Sequence, residues 1–250
     1  MTKPCNLNGK VALITGAARR IGAAVSRCLH ADGANVVVHY RSSADEATTL
    51  CEQLNALRPN SAMSIQADLA NTADLPDLIA SAATWHGSLD ILINNASSFY
   101  PTPLGDVAES DWDDLMGANL KAPLFLTQAA MSELSKAHGV VINIVDIHAQ
   151  RPLRDHTVYG ASKAGLAMLT RSLAKDLAPD IRVNGVSPGA IMWPEAGLSE
   201  ASKESILEQV PLGRAGDASD IAGCVLYLVR DASYVTGQII AVDGGRSIGW

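Results

Sequence analysis

The stretch VALITGAARRIG, residues 11 to 22, decides the fold. Val11 to Ile14 is a short apolar run bounded by Lys10 and Gly16, the pattern of a buried strand. Ile21, Val25 and Leu29 then recur at helical spacing. Between strand and helix, Thr15 to Gly22 is rich in small residues. Such residues let a phosphate approach the free backbone N–H groups at a helix start, where the helix dipole favours negative charge. An ordinary strand-to-helix turn can use small residues too. Moreover, Arg20 stands where the pattern G-x-G-x-x-G has its middle glycine, so the reading depends on the chain beyond Gly22.

Beyond Gly22 the chain alternates regularly. Asn35 to Tyr40, Ser61 to Ala67, Leu89 to Ile93, Val140 to Val145, Ile181 to Val186 and Gln238 to Val242 read as further strands. Helical spacing intervenes over Ser43 to Leu57, Thr72 to Trp85, Glu109 to Lys136, Thr157 to Leu177 and Ala218 to Val229. Strands that alternate with helices specify a parallel sheet covered on both faces. Right-handed crossovers make it a Rossmann-type, doubly wound α/β sheet of about seven strands. Residues 1–250 are expected to form one dinucleotide-binding domain. An irregular segment rich in small residues, at about 188–204, is long enough to act as a lid beside a substrate.

Composition narrows the function. A hydrophobic fraction of 48% with 18% charged residues is that of a globular chain. The net charge of −7 argues against a nucleic-acid or anionic-membrane surface. The N-terminal MTKPCNLNGK lacks the apolar core of a signal peptide and no run is long enough to span a membrane, so a soluble cytoplasmic protein is expected. Cys5, Cys28, Cys51 and Cys224 have no metal-ligand spacing and read as reduced, buried thiols.

Several positions carry chemistry. At the end of the second strand, an Asp or Glu would accept from the ribose hydroxyls of NAD, but the chain reads His39-Tyr-Arg-Ser-Ser43. Arg41 with the Ser42 and Ser43 hydroxyls suits a 2′-phosphate, and Arg19 can add a second positive charge, which predicts NADP(H). A solvated loop would look the same. Asp68-Leu69 can cap an adenine, or Asp68 can be an N-cap. Asn119 interrupts an apolar helical middle, as a structural amide or as a holder of a water or a lysine. Tyr159 and Lys163, four apart, share a helix face, where the ammonium should lower the phenol pKa. Asp146, at the end of the fifth strand, is expected to join them. Gly185-Val-Ser-Pro-Gly189 fits the G-x-S-x-G nucleophile elbow, but Pro188 lacks the N–H that the elbow needs after its serine.

Thr15-Gly16, Asn94-Asn95-Ala96, Asn119, Tyr159-x-x-x-Lys163 and Pro188-Gly189 together resemble the short-chain dehydrogenase/reductase family, in order and spacing, across essentially the whole chain. The resemblance implies that Tyr159 donates a proton, that Lys163 binds the nicotinamide ribose, that Asn119 holds a relay water and that Pro188-Gly189 lies beside the carboxamide. Gly16, Arg19, Arg20 and Ile21 would touch the cofactor from the first loop, and Tyr40, Arg41 and Ser42 from the second strand. Asp68, Leu69, Asn95 and Ala96 complete that set. Asp146 in place of the usual serine, Ser97 after Asn-Asn-Ala, Arg20, the stretch Ser97 to Pro103 and HYRSSADEA from His39 to Ala47 resemble the pteridine reductases. That likeness implies a pterin stacked on Phe99 and hydrogen-bonded by Ser97 and Arg20. A homotetramer is implied as well, with Arg246 to Trp250 near an interface.

The substitution at 146 has a chemical reading. A serine hydroxyl donates to a carbonyl oxyanion, which an ionised Asp146 would repel; C=N reduction instead leaves a nitrogen that needs a proton. The carboxylate would also keep Tyr159 protonated. Alternatively, Asp146 is a cap or the partner of Arg151 or Arg154, and Phe99 is core. A carbonyl (3-oxoacyl-type) reductase and an NADP(H)-sensing regulator stand as the other functional readings.

Overall fold

A computed structural model describes residues 6–193, 197 and 199–248. Seven strands form one sheet: β1 (Val11–Ile14), β2 (Asn35–Tyr40), β3 (Ala62–Gln66), β4 (Ile91–Asn94), β5 (Val140–Ile144), β6 (Arg182–Pro188) and β7 (Ile239–Val242). All neighbours are parallel, in the order β3-β2-β1-β4-β5-β6-β7. The order reverses beside β1, so the ends of β1 and β4 diverge into a crevice where doubly wound sheets bind their ligands. The expected fold class is the one observed.

Period-two alternation splits each inner strand between two cores. Ala12 and Ile14 face the side covered by α1 (Arg20–Ala31), α2 (Ala44–Leu57) and α8 (Ala218–Arg230). Val11 and Leu13 face α3 (Leu75–His86), α5 (Ala122–Ala137) and α6 (Thr157–Asp176). All four are fully buried. Each buried aliphatic side chain contributes about 1.5–3 kcal/mol, so the apolar strands anchor the crevice in a rigid sheet. Arg182 adds a polar clamp: its guanidinium donates to the carbonyls of Leu228, Val229, Ala232 and Val235, where α8 ends and its dipole is negative.

Three expectations are corrected. The helix expected over Glu109 to Lys136 is broken: α4 (Glu109–Met116) passes through a π-helical stretch, Gly117–Lys121, into α5. Asn119 sits in that stretch, fully buried. The helix expected from Thr72 begins at Leu75 with Asp74 at its N-cap, so Asp68 does not cap it; the Asp68 carboxylate accepts from Ala70 N–H at 3.0 Å. Within 188–204, α7 (Glu200–Leu207) stands on a Ser199 cap, an ordered start that a wholly irregular segment would lack. The lid expected through Leu198 falls partly on residues 194–196 and 198, outside the described residues, as do Cys5 and Trp250. Among the described residues, Cys51 is buried, Cys28 and Cys224 are half-buried, and no helix is long and apolar enough to cross a membrane.

Candidate active site

The dinucleotide half of the crevice is a cleft of about 410 Å³ at the carboxyl ends of β1, β2 and β4. Its floor is a hydrogen-bonded lock. Gly16 N–H donates to His39 Nδ1 at 3.1 Å, so His39 Nε2 carries the proton and donates to the Ala67 carbonyl at 3.1 Å. Burial pulls the His39 pKa down to about 4, which keeps the ring neutral in that tautomer. Thr15 Oγ1 accepts from the N–H groups of Asn95 and Ala96, both at 2.9 Å. Asn95 Nδ2 donates to the carbonyls of Thr15 and Gly16 at 2.8 and 3.0 Å.

That lock brings backbone close to backbone. Gly16 has φ +59° and lies against Ala96; a Cβ on Gly22 would sit 2.4 Å from the Gly16 carbonyl oxygen. Only glycine fits there. The first turn of α1 has no side-chain cap, so the amides of Arg20, Ile21 and Gly22 have no intrahelical acceptor. An anion is the chemical complement of such a turn. Tyr40, Arg41, Ser42, Asp68, Leu69 and Arg19 also line this cleft, Arg41 and Ser42 exposed at its rim with no acidic residue at the end of β2. These features fit a phosphorylated dinucleotide. The Asn95 amide nitrogen is spent on the loop it braces.

Arg20 is placed differently from expectation. It occupies the left-handed region, φ +52°, where the glycine pattern has its middle member. Its guanidinium donates to the carbonyls of Trp193 and Met192 at 3.2 and 3.4 Å, so it bridges the first loop to the segment after β6. Pro188 ends β6 and Gly189 follows it beside Asp243, where a Cβ on Gly189 would lie 2.5 Å from the Asp243 Cβ. Ser187 lies inside β6, paired with Ala241, and not on the sharp strand-to-helix turn of a nucleophile elbow.

In the catalytic half, Tyr159 and Lys163 lie on α6 and Asp146 comes just after β5. Tyr159 OH donates to Asp146 Oδ2 at 2.8 Å, and Asp146 Oδ1 accepts from His148 N–H at 2.8 Å. Asp146 thus caps a short 3₁₀ turn, Ile147–Ala149, with one oxygen and meets the phenol with the other. Cap and partner coexist in one carboxylate. Lys163 is buried, its Nζ donating to the Ile144 carbonyl at 3.0 Å and lying 5.8 Å from the Tyr159 ring centroid. Burial pulls its pKa down to about 8, against the Asp146 charge. Tyr159 moves opposite to the lowering expected from Lys163 and in the direction expected from Asp146: burial first, then the Asp146 charge and hydrogen bond, push its pKa up. The phenol is therefore protonated at neutral pH.

Asn119 is fully satisfied. Its Oδ1 accepts from Ser97 Oγ and Ser98 N–H at 2.8 and 3.0 Å, and its Nδ2 donates to the Ser98 carbonyl and Ser162 Oγ, both at 3.0 Å. An amide has two donors and two lone pairs, so no side-chain capacity is left for a water. The π-helical stretch that holds Asn119 is itself a feature often found at functional sites. Phe99 is 51% exposed, which rules out the core reading. Its ring meets Tyr159 edge-on, with centroids 4.8 Å apart.

Two neighbours escape the sequence reading. His156 stacks on Phe99 at 4.8 Å, and its only hint in the sequence is a place three residues before Tyr159. Arg246 is half-buried after β7, and burial pulls its pKa down against the charges of Asp146 and Asp243. In the sequence it stands out only as part of a C-terminal segment suited to an interface.

Comparison with known proteins agrees with this geometry. A family model described as enoyl-(acyl carrier protein) reductase, of the short-chain alcohol dehydrogenase type, matches residues 16–247. Pteridine reductase 1 of Leishmania tarentolae is 39% identical over 279 residues, covering 95% of this chain and 96% of that protein. A 3-oxoacyl-(acyl-carrier-protein) reductase of Staphylococcus aureus is 38% identical over 240 residues, covering 94% and 97%. The crystal structure of a blue fluorescent protein from a metagenomic library, in complex with NADPH, superposes with TM-score 0.90 at 39% identity, covering 96% and 99%. With the parallel sheet, the glycine-lined crevice and the Tyr159–Lys163 helix in place, this chain belongs to the short-chain dehydrogenase/reductase family of oxidoreductases.

Proposed function

We propose that the protein is an NADPH-dependent pteridine reductase that reduces a C=N bond of an oxidised or dihydropterin. The observation that carries this reading is the 2.8 Å hydrogen bond from Tyr159 OH to Asp146 Oδ2. A carboxylate beside the proton donor repels a developing alkoxide, so it disfavours a ketone. A C=N nitrogen is basic enough to take up its proton before or as the hydride arrives, so little negative charge builds beside the carboxylate. Bound NADPH would supply the hydride to the carbon. Tyr159, held protonated by burial and Asp146, would give the proton to the nitrogen. Half-exposed Asp146 can then pass a proton from water to the phenolate.

The other side chains have matching roles in this reading. Gly16, Ile21 and the first turn of α1 would hold the diphosphate, with Arg41, Ser42 and Arg19 on the 2′-phosphate. Asp68 and Leu69 would flank the adenine. Lys163 would bind the nicotinamide ribose, and Ala96, Pro188 and Gly189 would enclose the nicotinamide. Ser97 and Phe99 would hold the pterin, with Arg20 reaching it by exchanging its loop carbonyls for the ligand. The assembly is a cytoplasmic homotetramer in this reading.

Sequence identity does not choose between the two named enzymes, since it is 39% for the pteridine reductase and 38% for the 3-oxoacyl reductase. The test is NADPH oxidation over a panel of oxidised pterins, dihydropterins and a 3-oxoacyl thioester. Turnover of pterins above the thioester is expected. Faster turnover of the thioester, or none of any pterin, overturns the proposal.

A further inference from the structure

The wall above Tyr159 contains a contact that none of these roles uses. Phe99 and His156 stack with centroids 4.8 Å and planes 21° apart, while Phe99 meets Tyr159 edge-on at 79°. With 51% of Phe99 exposed, one face of its ring is covered by imidazole and surface remains open. His156 itself is pinned. Its N–H donates to the Leu153 carbonyl at 3.2 Å and its carbonyl accepts from Gly160 N–H at 2.8 Å. Its Nδ1 lies 2.7 Å from the Arg154 carbonyl, which can only accept, so Nδ1 carries a proton and the ring plane is set. An isolated parallel bridge ties His156 to Thr102, on the segment that carries Phe99. The preceding Asp155 adopts φ +58°, a conformation that non-glycine residues accept mainly where surrounding structure demands it.

An exposed phenylalanine on a loop ordinarily changes rotamer in picoseconds to nanoseconds. This one has a fixed partner on one face and a fixed edge contact. Resting on the pterin reading above, we infer that His156 is a positioning residue. It occupies the far face of Phe99 and holds the ring edge-on to Tyr159. A flat heterocycle then has one face of Phe99 to stack on, hence one register against the phenol. His156 acts through Phe99 and exchanges no proton with the substrate in this scheme.

The chain has only two phenylalanines, Phe99 and Phe125, which makes the contact directly readable. Protein labelled with fluorophenylalanine should give two fluorine resonances, assigned with Phe99→Leu. In His156→Asn, which keeps a donor for the Arg154 carbonyl but loses the ring, the Phe99 resonance should move while that of Phe125 stays. The KM for a dihydropterin should rise about 3- to 10-fold, the worth of one aromatic pair, with kcat changed less than about twofold. His156→Phe should restore both. A merely structural histidine would not be rescued by phenylalanine with a KM effect alone. The inference is overturned if His156→Asn leaves the resonance or the KM unchanged, or if His156→Phe behaves like His156→Asn. Wild-type protein that turns over no pterin brings down the pterin reading and this inference with it. Wild-type turnover with a KM indifferent to His156→Asn brings down the inference alone.

Discussion

In the dinucleotide half of the cleft, His39, Thr15 and Asn95 aim their polar atoms at the backbone. In the catalytic half, Tyr159 and Asp146 aim theirs at each other. The first arrangement spends side chains on shaping a loop, leaving main-chain amides and the exposed Arg41 at the rim to meet a ligand. The second holds a buried phenol and a buried ammonium close to one carboxylate, whose charge favours the protonated form of both. Damage to the first half should therefore appear in cofactor binding and stability. Damage to the second should appear in turnover and its pH dependence.

Tyr159→Phe is the largest test of that division. It removes the proton donor while keeping the ring against Phe99, so kcat should fall by about 10² to 10⁴ with NADPH affinity nearly unchanged. A variant that loses cofactor binding instead would place Tyr159 in the wrong half. Gly22→Ala probes the other side. Its Cβ would lie 2.4 Å from the Gly16 carbonyl oxygen and 2.7 Å from Asn95 Nδ2, atoms of the lock itself. Stability should drop by about 1–3 kcal/mol, and the dissociation constant for NADPH should rise by some tens of fold, roughly 2 kcal/mol. Denaturant unfolding with a fluorescence titration of NADPH reads both effects.

Arg41→Ala is smaller because Arg41 is exposed and belongs to no lock. One charge-assisted contact to a 2′-phosphate amounts to about 1.5 kcal/mol, so the NADPH-over-NADH preference in kcat/KM should fall about tenfold with NADH values unchanged. An unaltered preference would remove Arg41 from the 2′-phosphate site.

The two halves also differ in how far the sequence discloses them. Strand runs such as Val36 to Val38 and the loop glycines state their roles in residue type alone, because burial and close approach admit few alternatives. His39 is invisible there as a lock: it sits among valines, and its partners Gly16 and Ala67 are distant in the chain. Asp146 is legible as a departure from serine, but the direction of the Tyr159 pKa depends on which neighbour comes closer. Spacing brings the lysine to the same helix face, yet only the fold shows the carboxylate in hydrogen-bond contact and the ammonium turned to the Ile144 carbonyl. The π-helical stretch leaves one trace, a polar Asn119 in an apolar run, and spacing cannot reveal one extra residue in a helical turn.

The pH dependence of cofactor capture should sharpen the comparison with the smallest effect. Lys163 is buried and its pKa is pulled from 10.5 to about 8, with Asp146 opposing the fall. Because the pKa lies below the ordinary lysine value, the ammonium is lost as pH rises through about 8. Tyr159 does not compete in that range, since burial and Asp146 push its pKa up, and His39, at about 4, has long been neutral. One of the three ammonium donors is used on the Ile144 carbonyl, which leaves two for the ribose hydroxyls in the proposed cofactor pose. The kcat/KM for NADPH, which reports the free enzyme, should therefore fall about threefold between about pH 7.5 and 8.5. In Asp146→Ser the carboxylate that supports the ammonium is gone, so the alkaline limb should shift to lower pH. A limb that lies near the ordinary lysine value, or that ignores Asp146→Ser, would break the claim that burial and the Asp146 charge together set the charge of Lys163.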